Sequence, residues 1–299
     1  MPSTAAPPLV LSPASLSSLL AGEKKPRILD ATWFMPGVAR NARQEFEKGP
    51  RLPGSTFWDV DDVADKTHPL GLKHMMPSSE TFAEAASLQG IDNETHVVVY
   101  DTHGVFSSPR TAFTFHAFGH RNISILDGGL PGWIAASLPL EEGPPSFTPI
   151  RKSYSPTPLH PGIIRDYDEM IANARMGSRG QTVLDARPVG RFEGTAPEPR
   201  PGLSSGHIPS SLSLPFSELL QKHEGGYTTF KEQTELWRTI SDAVGGLEGI
   251  DKIRQASSAG ETAVTATCGS GMTAAVIWAG LHQLGIQASI YDEVRFSMH

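Results

Sequence analysis

Apolar positions along the chain fall into short continuous runs. These are Ile28-Leu29, Val97-Val98-Val99-Tyr100, Ile123-Ser124-Ile125-Leu126, Val183-Leu184, Val264-Thr265-Ala266-Thr267 and Ser289-Ile290-Tyr291. Runs of that length, rich in β-branched residues, predict strands buried on both faces. Between them, residues 79–90, 109–118, 229–244 and 273–284 predict helices. Strands alternating with helices argue for parallel α/β units. Residues 138–162 hold seven prolines, a density at which no regular element survives, and are read as an inter-domain linker.

The pattern repeats. Ile28-Leu29-Asp30-Ala31 matches Val183-Leu184-Asp185-Ala186, and Leu52-Pro53-Gly54-Ser55 resembles Ile208-Pro209-Ser210-Ser211. Phe118-Gly119 with Ile125-Leu126-Asp127 is followed in the same order by Leu284-Gly285 with Ile290-Tyr291-Asp292. With 299 residues, about twice a common domain, the chain reads as a duplicated α/β domain. The expected boundaries are 1–138 for a non-catalytic first domain, 139–162 for the linker and 163–299 for a catalytic second domain. The duplication exposes an asymmetry: after matching strands, one half carries Asp101 and the other Cys268.

Charge and composition narrow the function. The net charge is −7, which argues against a general nucleic-acid or anionic-membrane surface. No apolar run approaches the roughly 18 residues of a spanning helix. The first 27 residues are rich in Ser, Ala and Pro and acid-poor until Glu23, without the early arginines of a transit peptide or a compact signal core. The expected compartment is the cytoplasm, with the mitochondrion as the alternative. Cys268 is the single cysteine, which excludes an intramolecular disulfide and any multi-cysteine metal site, and suits a reducing compartment.

Cys268 stands at the carboxyl end of a predicted parallel strand, where open α/β sheets place ligands. Gly269-Ser270-Gly271-Met272-Thr273 then leads into a predicted helix. Small residues let the backbone wrap round the sulfur and aim N–H groups at it, which favours thiolate over thiol. The other reading of a lone cysteine is an inert buried thiol. A cysteine phosphatase would close its loop with an Arg after five intervening residues, where this chain has Ala274. A cysteine hydrolase, needing a His base, stays open because there are 11 His residues.

Cys268-Gly269-Ser270-Gly271-Met272-Thr273-Ala274 resembles the active loop of tandem rhodanese-fold sulfurtransferases of the 3-mercaptopyruvate branch. Thiosulfate-preferring members usually carry an Arg-Lys pair where this chain has Gly269-Ser270. Asp185-Ala186-Arg187-Pro188-Val189-Gly190-Arg191-Phe192-Glu193-Gly194-Thr195, Pro197-Glu198-Pro199-Arg200 and Gly206-His207-Ile208-Pro209 agree with it. So do Ser108-Pro109-Arg110, Phe118-Gly119-His120-Arg121 and Leu126-Asp127-Gly128-Gly129 in the first half.

The resemblance implies two tandem rhodanese-like domains, each a parallel sheet flanked by helices. It implies sulfur transfer from 3-mercaptopyruvate through a Cys268 persulfide to a thiol acceptor such as thioredoxin, or to cyanide, with no cofactor and no metal. A monomer or weak dimer is expected. By motif match, Arg191 and Arg200 bind the donor's carboxylate and keto group, and Gly269, Gly271, Met272 and Thr273 line the loop. Ser270, His74 and Asp61 match a proposed Ser/His/Asp arrangement, although the stretch from Asp61 to His74 exceeds the family's usual spacing. The plainer alternatives are a surface salt bridge for each arginine, a loop histidine for His74 and a helix cap for Asp61. Arg187 is a further candidate, with pairing to Asp185 or Glu193 as its alternative.

The chain departs from the family at residues 293–299, where Glu293-Val294-Arg295-Phe296-Ser297-Met298-His299 replaces the Gly-Ser-Trp-like turn and tail. Two other functions therefore stay open: a thiosulfate-preferring sulfurtransferase and a catalytically impaired rhodanese-fold binding protein.

Overall fold

A computed structural model describes residues 6–199 and 205–293. It divides into two compact units. The first comprises Met1–Ala64, Pro77–His160 and Lys222–Thr229, the second Asp65–Met76, Pro161–Gln221 and Phe230–His299. Each half of the chain thus contributes one short segment to the other half's unit.

The first unit is built on a parallel sheet of β1 (Val10–Leu11), β2 (Arg27–Asp30), β3 (Thr56–Phe57), β4 (Val97–Tyr100) and β5 (Ile123–Leu126), in the order β1-β5-β4-β2-β3. β2 and β4 pair from Arg27 with Val97 to Asp30 with Tyr100. β4 is buried along its whole length, as an unbroken apolar run requires in a sheet covered on both faces. One face packs Ile28, Val98, Tyr100 and Leu126 with Leu16, Leu130 and Trp133. An aromatic cluster of Trp58, Phe82, Phe115, Phe118 and Tyr154 makes a second layer.

In the second unit, β6 (Ile164–Arg165), β7 (Thr182–Asp185) and β8 (Leu212–Ser213) come first in the chain. A two-stranded ribbon of β9 (Leu220–Lys222) and β10 (Thr228–Phe230) follows in the chain, its Lys222–Thr229 part belonging to the first unit, and then β11 (Val264–Thr267) and β12 (Ala288–Tyr291) of the second. The main sheet runs β6-β12-β11-β7-β8, and every pair in it is parallel. This is the order of the first sheet with each strand replaced by its repeat, so the fold is α/β with two like sheets flanked by helices.

The predicted strands stand where the apolar runs placed them. The helix expected at 229–244 begins only at Gln233, because Thr228–Phe230 is strand β10. Gly225-Gly226 turns the chain, with Gly226 at φ +75°, and the following Thr-Thr-Phe has β-branched and aromatic side chains. Residues 139–160 form no helix or strand, yet they are anchored on the first unit. Arg51 donates to Glu141 at 2.9 Å, and Tyr154 is buried, its hydroxyl 3.2 Å from Nδ1 of His120.

Candidate active site

β11 delivers Cys268 to the carboxyl end of the second sheet. Its side chain is 4% exposed and reduced. Residues 268–273 form a tight loop before the helix Ala274–Gln283, and no side chain caps that helix. Gly271 takes φ +74°, a left-handed conformation that glycine reaches without the penalty of a Cβ. Ser270 and Met272 are buried beside the thiol, while Gly269 and Thr273 are half-buried.

His74 lies in this same unit, on the segment Asp65–Met76. The segment closes on itself where the Asp65 N–H donates to the Met75 carbonyl. His74 adopts φ +63°, a region that His, Asn and Asp visit more readily than bulkier residues. Its ring is 3% exposed, and Nδ1 lies 2.8 Å from Oγ of Ser270. The structure therefore joins two of the residues named from sequence, with His74 buried instead of hanging in an exposed loop. Asp61 belongs to the first unit, in the first turn of the helix Val60–Val63, where it accepts from the Trp33 indole N–H at 3.1 Å. The cap of that helix is Asp59.

Arg191 sits on the short helix Val189–Glu193 beside the thiol loop. Its Nη2 is 3.5 Å from where a Cβ on Gly269 would stand. It is paired with Glu198, a residue of the Pro197-Glu198-Pro199-Arg200 stretch that no local pattern marks for a role. Arg187 binds Asp185 through Nε and Nη2, and Glu198 through Nη1 at 2.7 Å. Glu193 is not the partner. Burial works against the charge of Arg187, but the hydrogen bonds and charges of Asp185 and Glu198 outweigh it and raise its pKa. Arg200 lies outside the described residues, as do residues 294–299.

The first unit shows what the same loop does without a thiol. Asp101 follows β4 as Cys268 follows β11. Its Oδ2 accepts from the N–H groups of Phe106, Ser107 and Ser108 at 2.9–3.0 Å and from the Ser108 hydroxyl at 2.7 Å. The backbone donors converge on a negative charge that the chain itself supplies. Another contrast follows from Asp30-Ala31-Thr32, the repeat of Asp185-Ala186-Arg187. Thr32 hydrogen-bonds Asp30 but brings no cation, and burial pushes the Asp30 carboxyl up to about 6.

The second unit thus presents one buried thiol on a loop bent at Gly271, a hydroxyl bonded to an imidazole and an adjacent guanidinium. That set can hold an anion beside sulfur and move a proton.

Comparison with known proteins agrees. The rhodanese-like domain model matches residues 12–136. The human 3-mercaptopyruvate sulfurtransferase is 37% identical over 269 residues, which cover 89% of this chain and 82% of that protein. The Arabidopsis thaliana mitochondrial thiosulfate/3-mercaptopyruvate sulfurtransferase 1 is 35% identical, over 89% of this chain and 69% of its own. Among solved structures, the 3-mercaptopyruvate sulfurtransferase SseA of Escherichia coli superposes with a TM-score of 0.77 at 27% identity, covering 97% of this chain and all of that one. Identity of this extent, over two like parallel sheets and around a single buried cysteine, places the chain in the family of tandem rhodanese-fold sulfurtransferases, and it is a sulfurtransferase.

Proposed function

We propose that the chain takes sulfur from 3-mercaptopyruvate and passes it through Cys268 to a thiol. The observation that carries this reading is the contact between His74 and Ser270, 2.8 Å, two residues beyond a buried thiol flanked by neutral loop residues.

The Cys268 thiolate attacks the donor's sulfur, and a new S–S bond forms. The carbon–sulfur bond breaks with its electron pair going to carbon, leaving the enolate of pyruvate. The Ser270 hydroxyl, bonded to His74, gives the enolate its proton, and the donor's thiol proton restores the relay. A second thiolate then attacks the outer sulfur, carries it away and frees the Cys268 thiolate. One covalent carrier divides the transfer into two easier steps. Loop N–H groups hold the persulfide anion, in the manner of those that hold Asp101 in the first unit.

Arg191 and Arg200 take the donor's carboxylate and keto oxygen, since a guanidinium fork matches a carboxylate. Gly269, Gly271, Met272 and Thr273 shape the space around the sulfur. Asp61 is assigned to the same arrangement on the motif match alone. The first domain, 1–138, carries no thiol and takes no part in the chemistry apart from His74 and Asp61; residues 139–162 join it to the thiol-bearing catalytic domain, 163–299. The acceptor is a small protein thiol of the thioredoxin kind, and the enzyme works as a monomer or weak dimer in the cytoplasm or mitochondrion. Among the described residues no helix is long and apolar enough to cross a membrane.

The test is pyruvate release from 3-mercaptopyruvate by the wild type and by Cys268→Ser, together with the mass of the protein after donor alone. The wild type gains about 32 Da as a persulfide and the variant gains nothing. Pyruvate release without the mass gain would overturn the persulfide route.

A further inference from the structure

Glu198 stands between two arginines. Its Oε2 accepts from Nε and Nη2 of Arg191 at 3.1 and 2.5 Å, and its Oε1 from Nη1 of Arg187 at 2.7 Å. Arg187 is tied to Asp185, the last residue of β7, and donates to the Gly206 carbonyl at 2.6 Å. The result is a chain of alternating charge, Asp185–Arg187–Glu198–Arg191, running from a strand end to the thiol loop.

Burial along the chain is graded. The side chains of Asp185, Arg187 and Glu198 are 0%, 3% and 4% exposed, whereas Arg191 is 18% exposed. A carboxylate taken out of water to this degree is held by its charged partners and is not free to swing. Arg191 is therefore fastened at one edge by a rigid anion. Among the described residues its Nη1 has no partner, so the opposite edge is the one left for a ligand. Nη2 belongs to both edges of the fork and lies next to Gly269.

We propose that Glu198 is a positioning residue for sulfur transfer: it grips the Nε–Nη2 edge of Arg191 and turns the other edge toward the donor's carboxylate beside Gly269. This rests on the reading of Arg191 as the donor-binding cation. Glu198 touches no reacting atom. It acts by removing the rotamer freedom that a long Arg side chain would otherwise lose on binding. The two carboxylates also balance the charges of Arg187 and Arg191, so this pair offers a donor directed hydrogen bonds and little excess positive charge.

The experiment compares Glu198→Gln, Arg191→Ala and the double variant with 3-mercaptopyruvate as donor. Glu198→Gln keeps the shape and loses the charge. Its KM for the donor should rise about ten- to a hundred-fold, the range for a misplaced binding group, with kcat little changed. The reaction of cyanide with preformed persulfide should not change. The double variant should be no worse in KM than Arg191→Ala alone, because Glu198 acts through that residue. If Arg191→Ala raises KM and Glu198→Gln does not, the positioning role is wrong and the clamp reading survives. If Arg191→Ala leaves KM unchanged, the clamp reading fails and this proposal falls with it. Additive effects in the double variant, or a lowered melting temperature with an unchanged KM, would also overturn it. Should Glu198→Gln not fold, Glu198→Asp keeps the charge but is too short to bridge both arginines. The same rise in KM is expected there, and an unchanged KM would refute the proposal.

Discussion

Nδ1 of His74 lies 2.8 Å from the hydroxyl of Ser270, although 196 residues of chain separate them. Both side chains are buried, His74 on a segment that clusters with the second unit and Ser270 in the thiol loop. In the proposed mechanism this pair is the proton relay beside Cys268, a part that neither residue could play alone.

The relay should show as coupled losses. His74→Asn suits the left-handed backbone at position 74, since Asn tolerates it. His74→Asn and Ser270→Ala should each lower kcat for pyruvate formation by about 10²- to 10⁴-fold, the usual worth of positioned proton transfer. Combining them should cost little more than the worse single variant. Multiplying losses would show that the two residues act separately.

Cys268→Ser should abolish sulfur transfer and leave the thermal unfolding midpoint unchanged. The side chain is 4% exposed, and oxygen for sulfur is a near-isosteric change. Turnover well above background in this variant would rule out the covalent carrier.

Donor choice should respond to one charge. Thiosulfate is a dianion, whereas Arg187 and Arg191 are already matched by Asp185 and Glu198. We expect kcat/KM to favour 3-mercaptopyruvate. Adding cations at 269 and 270 should favour thiosulfate, but Ser270 is engaged with His74, so Gly269→Arg is the cleaner variant. Position 269 has ordinary van der Waals room for a Cβ. The donor ratio should move toward thiosulfate by about tenfold, the worth of one charge-assisted contact. A wild type that already prefers thiosulfate would refute the charge argument.

Asp30 makes the first unit sensitive to pH. Burial raises its carboxyl from 3.8 to about 6, opposed by hydrogen bonds from Thr32 and Tyr100. A carboxyl raised in the folded state contributes stability that is fully present below the unfolded pKa and lost as pH rises through about 6. Asp30→Asn removes that loss. It should match the wild type in acid, near the unfolded pKa, and exceed it at pH 8 by up to about 3 kcal/mol, with the gap opening across the interval between the two pKa values. Denaturant unfolding at several pH values measures this. A gap that is constant with pH would mean that Asp30 is not the titrating group.

Much was settled by sequence because its physics is local. Val97-Val98-Val99-Tyr100 can only be a strand covered on both faces, and the glycines around Ser270 oblige the backbone to turn tightly after Cys268. Asp185 and Arg187, two residues apart, were within reach of each other by chain geometry alone, and they pair. The duplication was visible for the same reason, since matching strands repeat matching local patterns.

The rest needed the path of the chain. That residues 65–76 cluster with the second unit and carry His74 to Ser270 depends on where a loop closes, and closure entropy varies too slowly with length to mark a partner in sequence. Glu198 lay unassigned between two prolines because its role depends on two arginines that converge on it only after folding. The strand at Thr228–Phe230 overrode a helical reading because its partner strand lies across a glycine turn that windowed periodicity does not see. Sequence thus determined which elements form and that the single thiol stands at the carboxyl end of β11. Tertiary structure decided which charges and hydroxyls that thiol would meet, because desolvated partners are chosen by packing in three dimensions.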